Sequence, residues 1–234
     1  MTTKLGLVQR MDLILGACVG KSVLHLGCTN YPYTREAIER GMLLHHRIQD
    51  VASELYGFDY DQKGIDILAA GGTKNLYRTD LEDLASVELE RRFEVIVAGE
   101  IIEHLVNPGL FLSGIRRFMG PETSLIITTV NAYSATRFLT YSLRGKGGYN
   151  EPVHPDHVAY FSYKTLGKMV EKGGLAVREF YFYDIGPEHR PTNRKVVNLL
   201  NDISVRFAPQ LADGVIAVCG LSAEEPAAEQ TGAV

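Results

Sequence analysis

The sequence lacks abundant cysteine, a large excess of one charge and any long hydrophobic run. Its three cysteines, Cys18, Cys28 and Cys219, are spaced too widely for a zinc motif. Because their number is odd, they cannot all pair in disulfides within the chain. We therefore expect a reducing, cytoplasmic environment in which each cysteine is a small buried apolar residue.

Neither sign of charge dominates the chain. The 24 Lys and Arg residues oppose 28 Asp and Glu residues, which gives a net charge of −4 and a pI near 6.0. This balance argues against binding of nucleic acid through bulk charge. It favours a small-molecule partner.

The apolar stretches are short. Residues 95–98 and 215–218 are strongly apolar, but a membrane-spanning helix needs roughly 20 such residues. Gln9, Arg10 and Asp12 interrupt what would be the apolar core of a secretion signal. We therefore expect neither secretion nor a membrane partner.

The length of 234 residues and the 45% hydrophobic content suffice for a full core. We expect one domain over residues 1–221. The Ala- and Glu-rich residues 222–234 have no apolar periodicity and are expected to form a disordered tail.

Short apolar strands alternate with amphipathic helices along the chain. Strands are expected at residues 22–26, 55–58, 75–78, 93–98, 124–130, 175–183 and 215–221. Helices are expected at the N-terminus around residues 7–15 and at residues 35–53, 62–70, 111–118 and 195–206. This alternation predicts an α/β fold with a doubly wound, mostly parallel seven-stranded sheet and helices on both faces. Residues 132–153 break the pattern and are expected to form a lid-like insertion.

Small or polar residues follow each of the first four strands. Gly27 permits a tight turn. The Asp59 carboxylate could accept hydrogen bonds from both hydroxyls of a ribose, or cap the next helix. Asp80 and then Gly99 and Glu100 follow the third and fourth strands. Because open parallel sheets bind ligands beyond the carboxyl ends of their strands, these residues mark the candidate site.

Five stretches, in order, resemble motifs of the class I S-adenosylmethionine-dependent methyltransferases of the small-molecule type. They are residues 23–30, 56–59, 77–84, 93–105 and 157–175. Residues 23–30 resemble the glycine-rich first motif, although His25 replaces its acidic residue and Thr29 and Asn30 replace its later glycines. The resemblance implies a Rossmann-like methyltransferase fold and S-adenosylmethionine as cofactor. It also implies an enzyme that methylates a hydroxyl, with an amine as second choice, of a small metabolite, sugar or natural-product-type acceptor.

The same resemblance assigns cofactor contacts to the residues at the strand tips. Gly27 and Cys28 would lie against the methionine part, and Gly99 near the transferred methyl group. Asp59 would bind the ribose and Tyr60 would pack on the adenine. Asp80 would accept a hydrogen bond from the adenine amino group beside the backbone of Leu81.

A second cluster follows the fourth strand. Glu100, Glu103 and His104, followed downstream by His157, resemble the small-RNA terminal 2′-O-methyltransferases and, less closely, the quinone-pathway O-methyltransferases. This resemblance implies a divalent metal, Mg, Mn or Zn, on these four residues, with His154 as a spare ligand. Glu100, His104 and His157 are the candidate catalytic residues. Without a metal, the Glu-His pair would cap a helix and pack the site.

Three alternatives remain open. The first is a metal-assisted O-methyltransferase that acts on an RNA end or a quinone precursor. The second is a non-catalytic protein that binds S-adenosylmethionine, because the first motif is irregular. The third is a nicotinamide-dependent oxidoreductase, which needs a G-x-G-x-x-G turn that residues 27–32 lack. The oligomeric state is left undefined.

Overall fold

The computed structural model describes residues 6–144, 154–184 and 195–222. The strands are β1 (Gly6–Val8), β2 (Ser22–Leu26), β3 (Glu54–Asp59), β4 (Leu76–Arg78), β5 (Phe93–Gly99), β6 (Met119–Val130), β7 (Leu175–Tyr183) and β8 (Gly214–Leu221). The helices are α1 (Arg10–Cys18), α2 (Thr34–Glu39), α3 (Leu44–Gln49), α4 (Gln62–Ala70), α5 (Pro108–Ile115), α6 (Ala135–Arg144), α7 (Tyr163–Lys172) and α8 (Lys195–Phe207). Short 3₁₀ turns lie at Leu84–Ser86, Ile102–His104, Arg116–Phe118 and Pro209–Leu211.

The strands form one sheet in the order β1-β7-β8-β6-β5-β2-β3-β4. β8 pairs antiparallel with both of its neighbours, and every other pairing is parallel. The strand order reverses at β2, which lies between β3 and β5. A crevice therefore opens at the carboxyl ends of β2 and β5, where Leu26 pairs with Ala98.

Helices cover the sheet on both faces, and each face has its own core. On one face α5 and α7 pack against alternate strand residues such as Leu24 and Ile96. On the other, α1 and α3 cover residues such as Val23 and Val97. This two-sided burial explains the nearly continuous apolar strands of the sequence.

The doubly wound α/β fold is confirmed, with one strand more than expected. Residues 7 and 8, assigned above to an N-terminal helix, instead belong to β1, which extends the sheet edge beside β7. The helix expected over residues 35–53 is two helices, because the chain turns at Gly41 with φ +65°. All three cysteines are buried and free.

The insertion is partly visible and contains α6. Its residues 145–153, and residues 223–234 of the expected tail, lie outside the described part of the chain. Within the described residues, no helix is long and apolar enough to cross a membrane.

Candidate active site

The turn after β2 is closed by backbone contacts. Gly27 has φ +71°, and a Cβ at this position would overlap Ile101 Cδ1. The Gly27 and Cys28 amides both donate to the Phe58 carbonyl, at 2.8 and 3.3 Å. Only glycine satisfies both the left-handed backbone and the close approach of Ile101.

Asp59 holds this turn from the tip of β3. One of its carboxylate oxygens accepts from the Thr29 amide and the other from the Asp61 amide, both at 2.9 Å. Each oxygen retains a lone pair, so the group can still accept two ribose hydroxyls. The N-cap of α4 is Asp61, whose side chain accepts from the Lys63 and Gly64 amides.

The three residues expected around the adenine lie at the tips of β3 and β4. The Tyr60 ring is 67% exposed, and the Arg78 guanidinium lies 5.1 Å from its centroid. Asp80 is exposed and accepts from the Glu82 amide at 2.9 Å. The Leu81 side chain is buried. The exposed Tyr60 ring could provide one apolar wall for a planar base.

The unusual histidine of the first motif has a partner from α3. His25 and His45 are buried, their rings are stacked, and their Nδ1 atoms are 3.1 Å apart. A Cβ at Gly57 would lie 2.8 Å from both the His45 ring and the Cys28 sulfur, so this glycine makes room for the pair. Burial lowers the pKa of His45 to about 3 and the pKa of His25 well below its ordinary value. The pair is therefore uncharged.

Glu100 lies outside the group of converging ligand atoms that the other three proposed metal ligands form. It has φ +55°, and its Oε1 accepts from Thr128 Oγ1 at 2.8 Å and from the Tyr183 hydroxyl at 2.5 Å. Arg10 Nε lies 3.8 Å from the same oxygen. Burial and the Glu100 charge raise the pKa of Tyr183 well above its ordinary value, which keeps the phenol protonated as a donor.

The Arg10 guanidinium also reaches the tip of β5. A Cβ at Gly99 would lie 2.8 Å from Arg10 Nη2. Because Gly99 follows Ala98, which pairs with Leu26, this cation lies beside the Gly27 turn. Arg10 thus brings a positive charge from α1 to the crevice.

Glu103, His104 and His157 form a compact group, with one potential ligand atom from each lying within 4.8 Å of the others. The Glu103 carbonyl accepts from the Val158 amide at 2.9 Å, which brings the segment that carries His157 to the end of β5. His104 Nδ1 donates to the Asp156 carbonyl at 3.1 Å, and this leaves Nε2 as the acceptor. The His154 ring lies 5.0 Å from that of His157.

Several polar atoms of this cluster lack hydrogen bonds of normal geometry. The Nδ1 of His157 is buried without a hydrogen bond to any described residue. Neither carboxylate oxygen of Glu103 meets normal hydrogen-bond geometry, although the Thr129 hydroxyl lies close to this carboxyl. Burial, with the nearby Glu100 charge, raises the pKa of Glu103 to about 8. Burial, with His104 and His154, lowers the pKa of His157 to about 4. Such orphaned groups cost free energy unless a ligand satisfies them.

Sequence reasoning did not single out Arg10, Thr128, Tyr183 or His45 as site partners. Their contacts join segments that are distant along the chain, such as Tyr183 and Glu100, 83 positions apart. The sequence signal for His45 was the irregular His25, which needed a partner once it was buried.

Comparison with known proteins agrees with this fold. A family model described as a methyltransferase domain matches residues 13–179. The chain belongs to the S-adenosylmethionine-dependent methyltransferases. This methyltransferase is 26% identical to a ubiquinone biosynthesis O-methyltransferase of Hahella chejuensis over 129 residues, 52% of the chain and 49% of that protein. An enzyme of the same name from Nitrosospira multiformis is 23% identical over 80% of the chain and 74% of its own length.

Solved structures share the fold of this methyltransferase. A methyltransferase from Bacteroides fragilis in complex with S-adenosylhomocysteine aligns with a TM-score of 0.55, at 13% identity over 93% of this chain and 78% of that one. Magnesium protoporphyrin IX methyltransferase from Synechocystis aligns with a TM-score of 0.52, at 14% identity over 91% and 82% of the two chains.

Proposed function

We propose that this chain transfers a methyl group from S-adenosylmethionine to a hydroxyl oxygen of a small metabolite. The observation that carries the proposal is the Glu103, His104 and His157 cluster at the end of β5, beside the crevice where the family's cofactor belongs. The ubiquinone biosynthesis O-methyltransferases among the relatives support oxygen as the accepting atom. A phenolic quinone precursor is therefore the second acceptor to test.

The crevice offers complementary groups for each part of the cofactor. Asp59 has free lone pairs for the ribose hydroxyls, and Tyr60 presents an exposed ring to the adenine. Asp80 would accept from the adenine amino group next to the Leu81 backbone. Gly27, Cys28 and Gly99 line the methionine end, where the Arg10 guanidinium supplies a cation for the carboxylate. The sulfonium of S-adenosylmethionine supplies the methyl group.

The donor set at Glu103, His104 and His157 also fits a divalent cation. A carboxylate and two imidazoles suit Zn or Mn better than Mg, and the Asp156 carbonyl orients the His104 imidazole from behind. Glu100 lies outside the converging ligand atoms, and its Oε1 is engaged by Tyr183 and Thr128, so we place it outside this ligand set and keep His154, whose ring is 5.0 Å from that of His157, as the spare fourth ligand. Such an ion would position the acceptor hydroxyl and lower its pKa.

The transfer forms a carbon–oxygen bond, breaks a carbon–sulfur bond and releases the hydroxyl proton. In its ionised form, which becomes more abundant as the pH approaches the raised pKa of about 8, Glu103 could accept this proton. Alignment of the acceptor with the sulfonium by the cluster would supply much of the acceleration. The metal-dependent and metal-free forms of this proposal differ in their response to chelation.

The test is untargeted mass spectrometry of extracts incubated with the protein and methyl-labelled S-adenosylmethionine, with and without a chelator. We expect one hydroxylated metabolite to gain a methyl group, and its yield to fall at least 100-fold in Glu103→Gln and His157→Ala, because the loss of one charge-stabilising or positioning group costs a few kcal/mol. His46→Ala, on α3, is the control. Cofactor binding without any methylated product would favour the non-catalytic alternative. Activity that survives exhaustive chelation, or wild-type rates in both cluster variants, would show that no metal takes part in the reaction.

A further inference from the structure

Helix α8 exposes an apolar stripe on the side opposite its buried face. Val197, Asn201 and Val205 are buried against the protein. The stripe is made of residues at helical spacing, each at least 45% exposed: Val196, Leu199, Leu200, Ile203 and Phe207. These positions fall within one arc of about 100°, so they form a continuous surface along three turns.

Helix α6 packs beside α8 and also exposes large apolar side chains. Its Phe138 is 69% exposed and its Tyr141 is 37% exposed. Its inward residues Thr136 and Thr140 are buried, and their hydroxyls have no partner among the described residues. The Asn201 amide of α8 is buried and unpartnered in the same way. The helix pair therefore buries some polar side chains next to Val197 and Val205 while large apolar side chains stay exposed, which is unusual for surface helices.

Charge at the margin of the stripe distinguishes between its possible occupants. Lys195 and Arg206 are exposed and lie eleven residues apart, so they share one margin, and Asp202 between them offsets only one of the two charges. If two copies of the chain paired their stripes in antiparallel orientation about a two-fold axis, Lys195 of each copy would lie opposite Arg206 of the other. Two pairs of like charges would then face each other, which disfavours this pairing. An apolar stripe with a net basic margin instead suits an anionic lipid surface.

We propose that the exposed face of α6 and α8 binds the surface of an anionic phospholipid membrane, with α8 lying in its plane. A helix that lies on a membrane needs an apolar stripe rather than a spanning length. The proposal therefore replaces the expectation of no membrane partner, which rested on the shortness of the apolar runs. It is independent of the methyl acceptor.

The first experiment is flotation of the full chain with vesicles of phosphatidylcholine alone or mixed with an equal amount of phosphatidylglycerol. We expect binding to the mixed vesicles, weakened by salt. The double variant Leu199→Gln/Ile203→Gln should lose about tenfold or more in partitioning. Lys195→Gln and Arg206→Gln should each lose about fivefold. The control Val19→Gln/Met42→Gln, at two exposed apolar positions on other elements, should bind as the wild type does.

A second readout uses the absence of tryptophan from the sequence. In Phe207→Trp the only indole lies on the stripe, and its emission should shift to the blue on addition of mixed vesicles. In the control Met42→Trp it should not. No flotation of the wild type, or equal flotation of the Leu199→Gln/Ile203→Gln variant, would overturn the proposal. So would a concentration-dependent dimer in sedimentation that this variant abolishes without any vesicle binding, because the stripe would then belong to a second copy.

Discussion

At the scale of single residues, Gly27 illustrates how one position can carry two constraints. Its backbone is left-handed, and Ile101 occupies the space of a side chain. We expect Gly27→Ala to lower the free energy of unfolding by about 1 to 3 kcal/mol in urea titrations. Gly16→Ala is the matched control, since Gly16 is helical and has no atom near its missing Cβ, and it should gain about 0.4 to 1 kcal/mol.

A double-mutant cycle separates the two constraints on Gly27. In an Ile101→Ala background the clash is gone and only the backbone strain remains, so Gly27→Ala should cost about 1 kcal/mol less than in the wild type. Equal costs in both backgrounds would contradict a role for Ile101.

Asp59 is the residue on which the cofactor assignment depends most. Its replacement by Ala removes a charged acceptor from the ribose and also frees the Thr29 amide of the Gly27 turn. We expect the affinity for S-adenosylhomocysteine, measured by calorimetry, to fall about 10- to 100-fold, which corresponds to about 1.5 to 3 kcal/mol. Asp80→Ala should have a smaller effect.

The same titrations test the oxidoreductase alternative. NAD should give no heat with the wild-type protein, because residues 27–32 lack the glycines that make room for a pyrophosphate. Asp66→Ala, at an exposed position on α4, should bind S-adenosylhomocysteine as the wild type does. If Asp59→Ala bound S-adenosylhomocysteine with unchanged affinity, Asp59 would not belong to the cofactor site.

At the scale of elements, a buried hydroxyl of α6 contrasts with the capped start of α7. Thr140 is buried with an unpartnered hydroxyl, whereas the Thr165 hydroxyl accepts from the Ser162 amide in a capping box. Thr140→Val should therefore raise the free energy of unfolding by about 1 kcal/mol. Thr165→Val should lower it by about 0.5 to 2 kcal/mol. A loss in Thr140→Val would mean that a water or ligand satisfies this hydroxyl.

The elements also show where sequence reasoning was sufficient. Residues 22–26, 62–70 and 175–183 match β2, α4 and β7 at both ends, because their apolar periodicity and flanking turns are local signals. β1 was missed because a three-residue parallel strand is fixed by its pairing with β7, far along the chain. The orientation of Glu100 was missed for the same reason, since Tyr183 and Arg10 come from distant elements. Three of the four residues expected to share a metal, Glu103, His104 and His157, do lie close together, and the metal itself stays a prediction.

At the scale of the whole molecule, the His25–His45 pair couples stability to pH. In the folded protein the pKa of His45 is about 3 and that of His25 is also lowered, by burial and by the Arg10 charge, while unfolded histidines titrate near 6.5. The unfolded chain therefore binds more protons below pH 6.5. The stability contributed by the pair is fully present above that pH and is lost as the pH falls toward 3.

Urea titrations between pH 7 and pH 4 measure this loss. Each buried histidine should contribute a slope of up to about 1.4 kcal/mol per pH unit below its unfolded pKa. His45→Gln should reduce the slope of the free energy of unfolding against pH by the contribution of one histidine. This reduction does not depend on how much the substitution changes stability at pH 7. Identical slopes in the two proteins would show that the pair is not neutral when folded.

The position of β8 determines when the sheet can close during synthesis. β8 is the last described strand along the chain, yet it lies between β6 and β7, which do not pair with each other. A nascent chain that has emerged only to residue 213 holds two separate fragments, β4-β3-β2-β5-β6 and β1-β7, each with an open apolar edge. Such edges invite pairing with other chains. The ribosome must therefore release residues 214–221 before the two fragments can join, and until then a chaperone has two strand edges to protect.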